Sequence, residues 1–171
     1  MVSFCSGSGI RYYHLFGNLG HPKSGEISKG DPHSNLMWSR DQGKIWTISE
    51  KARTNTTESA VVELSDGSLI VKMRGNRNRT NKSHTNELAV SVTKDLDKTW
   101  SLHSSHYGGL PEPVCMPSLL GHTLGNGKTL LFFSNSNSKH WHERMTVRIS
   151  LDVGKTWPAK RSILLDKEGG A

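Results

Sequence analysis

An eight-residue pattern occurs three times in this chain and limits the folds open to it. The copies are Ser39-Arg40-Asp41-Gln42-Gly43-Lys44-Ile45-Trp46, Thr93-Lys94-Asp95-Leu96-Asp97-Lys98-Thr99-Trp100 and Ser150-Leu151-Asp152-Val153-Gly154-Lys155-Thr156-Trp157. They begin 54 and 57 residues apart. Repeats of this length are the mark of stacked units, in which each unit buries its apolar face against a neighbour. A four-stranded propeller blade fits the period.

The octamer has the chemistry of a tight turn between strands. Its Asp can accept hydrogen bonds from nearby backbone N–H groups. Its Gly can take a positive φ without steric cost. The closing Trp supplies a large apolar body to lock the turn onto its own sheet. In the second copy Asp97 stands where the others have Gly, and Asp tolerates the left-handed region better than most residues. Ile45 replaces Thr in the first copy.

A second periodic feature agrees. Ser65-Asp66-Gly67 separates two β-rich runs, 60–64 and 68–73, and Gly125-Asn126-Gly127 precedes the run 128–133 in the same way. Asp-Gly between such runs is a strong hairpin signal. Each unit therefore reads as two hairpins, four strands in all. The expected class is all-β, with about three four-stranded blades.

Composition narrows the function. Of the 171 residues 33% are apolar, lean but too rich in Trp, Leu, Val and Ile for a disordered chain. The formal charge of +7 leaves room for an anionic partner. The densest basic stretch, Arg74 to Lys82, has no aromatic platform and matches no nucleic-acid module. Nucleic acid is therefore not an expected partner. No run of about 20 apolar residues is present to span a membrane. Cys5 and Cys115 make neither a disulfide framework nor a zinc signature. His140 and His142, taken as neighbours on one strand face, lack further ligands nearby. No metal and no cofactor is expected.

The octamer resembles the Asp-box, Ser-x-Asp-x-Gly-x-Thr-Trp, and the third copy fits it at every defined position. Asp41, Asp95 and Asp152 then have a structural role. The segment Thr57-Glu58-Ser59-Ala60-Val61-Val62-Glu63-Leu64-Ser65-Asp66-Gly67-Ser68-Leu69-Ile70-Val71-Lys72-Met73-Arg74 resembles a segment of the sialidase (neuraminidase) family. There a Glu opens one strand, an Asp-Gly turn follows, and an Arg closes the next. Arg144-Met145-Thr146-Val147-Arg148-Ile149-Ser150 resembles the strand that leads into a family Asp-box, and Pro113–Ser118 and Ser6–Ile10 resemble two further family segments. The resemblance implies a six-bladed propeller, of which residues 1–171 are one part.

It also implies roles. Glu58 partners a catalytic Tyr; Arg74 and Arg144 grip a substrate carboxylate, with Arg148 the weaker candidate for the second Arg. Sialidases use a Tyr nucleophile. A phenol with a pKa of about 10 needs a base beside it. A guanidinium binds a carboxylate with a planar fork, which favours Arg over Lys. The implied activity is exo-α-sialidase, releasing terminal sialic acid from glycoproteins, glycolipids and oligosaccharides. An early triad Arg, an Asp acid/base and the Tyr itself have no match here, since Tyr12, Tyr13 and Tyr107 lie outside the family's position. This chain alone is expected to be inactive. A non-catalytic Asp-box propeller that binds glycans or proteins is the alternative. The residues do not fix a compartment; the occurrence of sialoglycans favours the outside of cells, the periplasm or lysosomes for the parent protein.

Overall fold

A computed structural model describes residues 11–17, 32–76, 87–96 and 98–169. Three antiparallel four-stranded sheets follow one another along the chain. The first holds β1 (Arg11–Gly17), β2 (His33–Ser39), β3 (Thr47–Ile48) and β4 (Arg53–Thr54); β2 is central and pairs with the other three. The second runs in order through β5 (Thr56–Glu63), β6 (Leu69–Gly75), β7 (Ala89–Thr93) and β8 (Ser101–Leu102). The third holds β9 (Ser118–Thr123), β10 (Thr129–Ser136), β11 (Met145–Ser150) and, after a short 3-10 turn, β12 (Ser162–Leu164). Each sheet is a blade, with the expected pair of hairpins in the second and third.

The middle blade is buried on both faces, and period-two alternation in its strands divides two cores. Val61, Leu69, Val71, Met73 and Ala89 pack with Leu36 and Ala52 of the first blade. Ala60, Val62, Ile70, Leu88 and Val90 pack with Leu119, Leu131 and Phe133 of the third. That explains the near-continuous apolar runs of β5 and β6: a strand covered on both sides has no solvent face. The blades approach closely at Gly121 on β9, where a Cβ would stand 2.5 Å from Val62 Cγ1. Only glycine fits there.

In the third blade the face set against the second blade is largely polar. In β11 the polar Thr146, Arg148 and Ser150 are buried against the second blade. Met145, Val147 and Ile149, which alternate with them, lie on the opposite face. There Val147 pairs with Ile163 and Phe132 pairs with Leu120. Ile163 and Leu120 are 61% and 62% exposed.

The octamers form the expected turns. Asp152 Oδ1 accepts from Ser150 Oγ at 2.7 Å and from Thr156 N at 2.9 Å, and Thr156 Oγ1 donates to Oδ2 at 2.6 Å. Asp41 and Asp95 accept the equivalent backbone bonds from Ile45 N at 2.9 Å and Thr99 N at 3.0 Å. Ile45 has no hydroxyl to add and is exposed. Positive φ extends further than glycine alone: Gln42, Leu96 and Val153, each one position earlier, have φ of 62°, 66° and 60°. Asp97 lies outside the described residues.

The tryptophans differ. Trp46 Nε1 and Trp157 Nε1 donate to the carbonyls of Gly43 and Gly154 in their own turns. Trp100 Nε1 instead donates to Glu50 O of the first blade at 3.1 Å. The second copy thus ties two blades together, where locking onto its own sheet was expected.

Candidate active site

Glu58 and Arg74 meet at one end of the middle blade. The ladder between β5 and β6 slips between Thr56 and Ser59, so Glu58 sits in an irregularity. Such bulges re-aim side chains next to functional sites. Arg74 stands one residue before the end of β6, on the facing strand. Its Nη1 donates to Glu58 Oε2 at 2.7 Å, with about a quarter of each side chain exposed, 25% and 28%. Arg74 Nε is buried and has no partner among the described residues. The guanidinium is therefore fixed by one carboxylate and keeps donor capacity for another acceptor.

A second carboxyl lies within electrostatic reach of this pair. Glu112, in the connection between β8 and β9, is 1% exposed. Its carboxylate accepts from the backbone N–H of Cys115. Burial pushes its pKa up to about 7. The Cys115 N–H and the charge of Arg74 oppose that rise, and the charge of Glu58 adds to it. The connection is held from both sides: Glu87 bridges to Pro111, and Asn135 Nδ2 donates to Pro111 O at 2.7 Å. Burial likewise raises the pKa of the Cys115 thiol, which feels Glu112, Glu58 and Arg74. The sequence singled out Pro113–Ser118 but not Glu112. The available signal was a Glu between two prolines at the start of that segment.

Arg144 lies elsewhere. It is exposed, directly precedes β11 and has a φ of 56°. No hydrogen bond or ion pair joins it to Glu58 or Arg74 among the described residues. Its carbonyl accepts from Asn137 N at 3.1 Å and from Thr146 Oγ1 at 2.7 Å. Arg148, by contrast, is 7% exposed. Its Nη2 donates to Asn137 Oδ1, its Nη1 is buried without a partner among the described residues, and burial lowers its pKa.

Lys72 completes the charged groups on this side of the middle blade. It is 1% exposed, with Nζ 4.8 Å from the centre of the Trp157 ring and 5.4 Å from that of Phe133. Burial lowers its pKa to about 7.

Other sequence candidates are placed as follows. Tyr107 packs over Gly75 and against the core shared with the first blade, on the other face from Lys72. His140 and His142 lie in the exposed connection between β10 and β11, not on a strand. Among the described residues no three His, Cys, Asp or Glu side chains cluster as a metal site, and no helix is long and apolar enough to cross a membrane. Ser6–Ile10 and most of the basic stretch after Asn76 lie outside the described residues.

The pattern of the BNR repeat-like domain matches residues 10–170. A sialidase from Bacteroides fragilis is 43% identical over 139 residues, which are 80% of this chain and 24% of that protein. A sialidase from Clostridium perfringens is 26% identical, covering 72% of this chain and 32% of that protein. The chain thus spans about a quarter to a third of these relatives. Among solved structures, the Hadza microbial sialidase Hz136 superposes with a TM-score of 0.80 and 36% identity, over 95% of this chain and 29% of that one. Trypanosoma rangeli sialidase in complex with sialic acid shares the fold at a TM-score of 0.63 and 22% identity, over 85% of this chain and 22% of that one. With three Asp-box blades and a match over nearly its whole length, the chain belongs to the sialidase family, in its BNR repeat-like β-propeller domain.

Proposed function

We propose that this chain supplies the glutamate and two of the arginines of an exo-α-sialidase active site. The whole of residues 1–171 serves as part of one propeller domain, with the boxes at 39–46, 93–100 and 150–157 marking successive blades. The observation that carries this reading is the Arg74–Glu58 pair, in which the guanidinium is anchored by one carboxylate and stays partly open to solvent. A sialic acid carboxylate binds the solvent-open part of this guanidinium, and Arg144 closes on it from the start of β11. Glu58 receives the proton of a tyrosine hydroxyl supplied by the rest of the protein. The phenolate oxygen bonds to the anomeric carbon as the glycosidic bond breaks, and the aglycone leaves with a proton from an acid. Water then releases sialic acid with retained configuration. Tyrosine suits this centre because a carboxylate nucleophile would meet the substrate's own carboxylate as like charge.

The partners are sialylated glycoproteins, glycolipids and oligosaccharides. Without its nucleophile and acid the chain binds sialic acid but does not hydrolyse it.

The test is sialoside hydrolysis by the protein made from the complete reading frame. Glu58→Gln and Arg74→Ala are each expected to cut kcat/KM by roughly a hundredfold or more. Turnover near that of the parent protein in either variant refutes the assignment.

A further inference from the structure

Arg148 is costly where it stands. The residue is 7% exposed, and among the described residues one of its terminal nitrogens, Nη1, has no partner. It faces the second blade from β11 together with Thr146 and Ser150, while the apolar residues of the same strand face away. A buried charge with incomplete hydrogen bonding is retained against a desolvation penalty, so what it holds in place is informative.

The bonds trace what it holds. Arg148 Nη2 donates to Asn137 Oδ1. The backbone N–H of the same Asn137 donates to Arg144 O at 3.1 Å, and Thr146 Oγ1 donates to that carbonyl at 2.7 Å. Arg144 itself is held at a φ of 56°, a left-handed conformation that a non-glycine residue keeps only when its surroundings fix it. The side chain of Arg144 takes no part in these bonds and is exposed.

We propose that Arg148 is a positioning residue: through Asn137 it clasps the backbone of Arg144 and so aims the Arg144 guanidinium at the substrate carboxylate. The two arginines of this strand then divide the work, the buried one fixing the loop 137–144 and the exposed one contacting the ligand. The part concerning the ligand rests on the sialidase reading above; the clasp itself does not.

The experiment uses the whole 171-residue chain, with hydrogen exchange at the residue 137 amide as the first readout. Arg148→Met keeps the apolar stem and removes the donor. Asn137→Ala removes the acceptor at a partly exposed position and guards against a folding failure of the first variant. Both are expected to raise exchange at that amide roughly tenfold or more, with the β9–β10 ladder unchanged. Arg148→Lys is expected to restore protection in part. The second readout is affinity for free sialic acid, expected to fall about tenfold in both variants, as it does in Arg144→Ala. Unchanged protection in Asn137→Ala overturns the clasp. Increased exchange with unchanged sialic acid affinity overturns its positioning role. If the parent chain binds no sialic acid, the sialidase reading fails there, and the exchange result still decides the clasp.

Discussion

The Asp-box turns and the seam between the second and third blades treat polar groups in opposite ways. In the third turn the carboxylate of Asp152 and the hydroxyl of Ser150 are both engaged, and every bond spans at most four residues. Along the seam, Arg74 Nε, Asn135 Oδ1 and Arg148 Nη1 are buried without partners among the described residues, and the Lys72 ammonium lies against the rings of Trp157 and Phe133. Trp38 Nε1, against the first-blade core, is the remaining such atom among the described residues. A saturated turn is a scaffold. A seam that leaves buried polar atoms unpaired carries their desolvation cost in the folded state.

The largest expected effect breaks the seam itself. Gly121→Ala places a methyl group 2.5 Å from Val62 Cγ1, and valine has few rotamers with which to yield. Chemical denaturation is expected to show a loss of about 3 kcal/mol. A change within about 0.5 kcal/mol would mean that the blades are not packed as described.

The next effect concerns charge. Glu112 has its folded pKa raised to about 7, so the folded state holds the proton more tightly than the unfolded one. Its contribution is present below about pH 4.3 and is lost as pH rises to about 7. Lys72 has its folded pKa lowered to about 7, so its burial penalty is full below that pH and fades as pH rises to about 10.4. Thermal melts of Glu112→Gln are expected to lose the fall in stability between about pH 4.3 and 7. Melts of Lys72→Met are expected to lose the rise between about pH 7 and 10.4, and to show about 2 kcal/mol more stability at pH 7. Parallel pH profiles in the parent and both variants would show that neither group is held as the seam requires.

The smallest effect sharpens the turn side. Val153 is β-branched at a φ of 60°, and asparagine tolerates that region far better. Val153→Asn is expected to raise stability by about 1 kcal/mol in denaturant titrations, with no effect on ligand binding. A loss of stability would show that Val153 packing outweighs its strain.

The same contrast explains what the sequence discloses. The octamers are legible because their bonds are local: Asp, Gly and Trp within eight residues contain the whole turn. Glu58 and Arg74 are legible because a single hairpin joins them and its Asp-Gly turn sets the register. Glu112 is invisible in the sequence because its burial arises from packing between blades, far along the chain. Arg148 is not legible there either: alternation in Met145-Thr146-Val147-Arg148-Ile149-Ser150 separates two faces without saying that the polar one is set against the second blade. Trp100 reaching Glu50 is likewise set by the neighbouring blade, not by its own octamer.

The central claim is that the Arg74 guanidinium, anchored by Glu58 and partly open to solvent, receives a substrate carboxylate. The most direct test follows the Arg74 Nε–H signal by NMR, assigned with Arg74→Lys, as sialic acid or its methyl ester is added. The account predicts a saturable shift with the free acid and little or none with the ester, whose carboxylate is masked. No shift with the acid, or an equal shift with both, would contradict it.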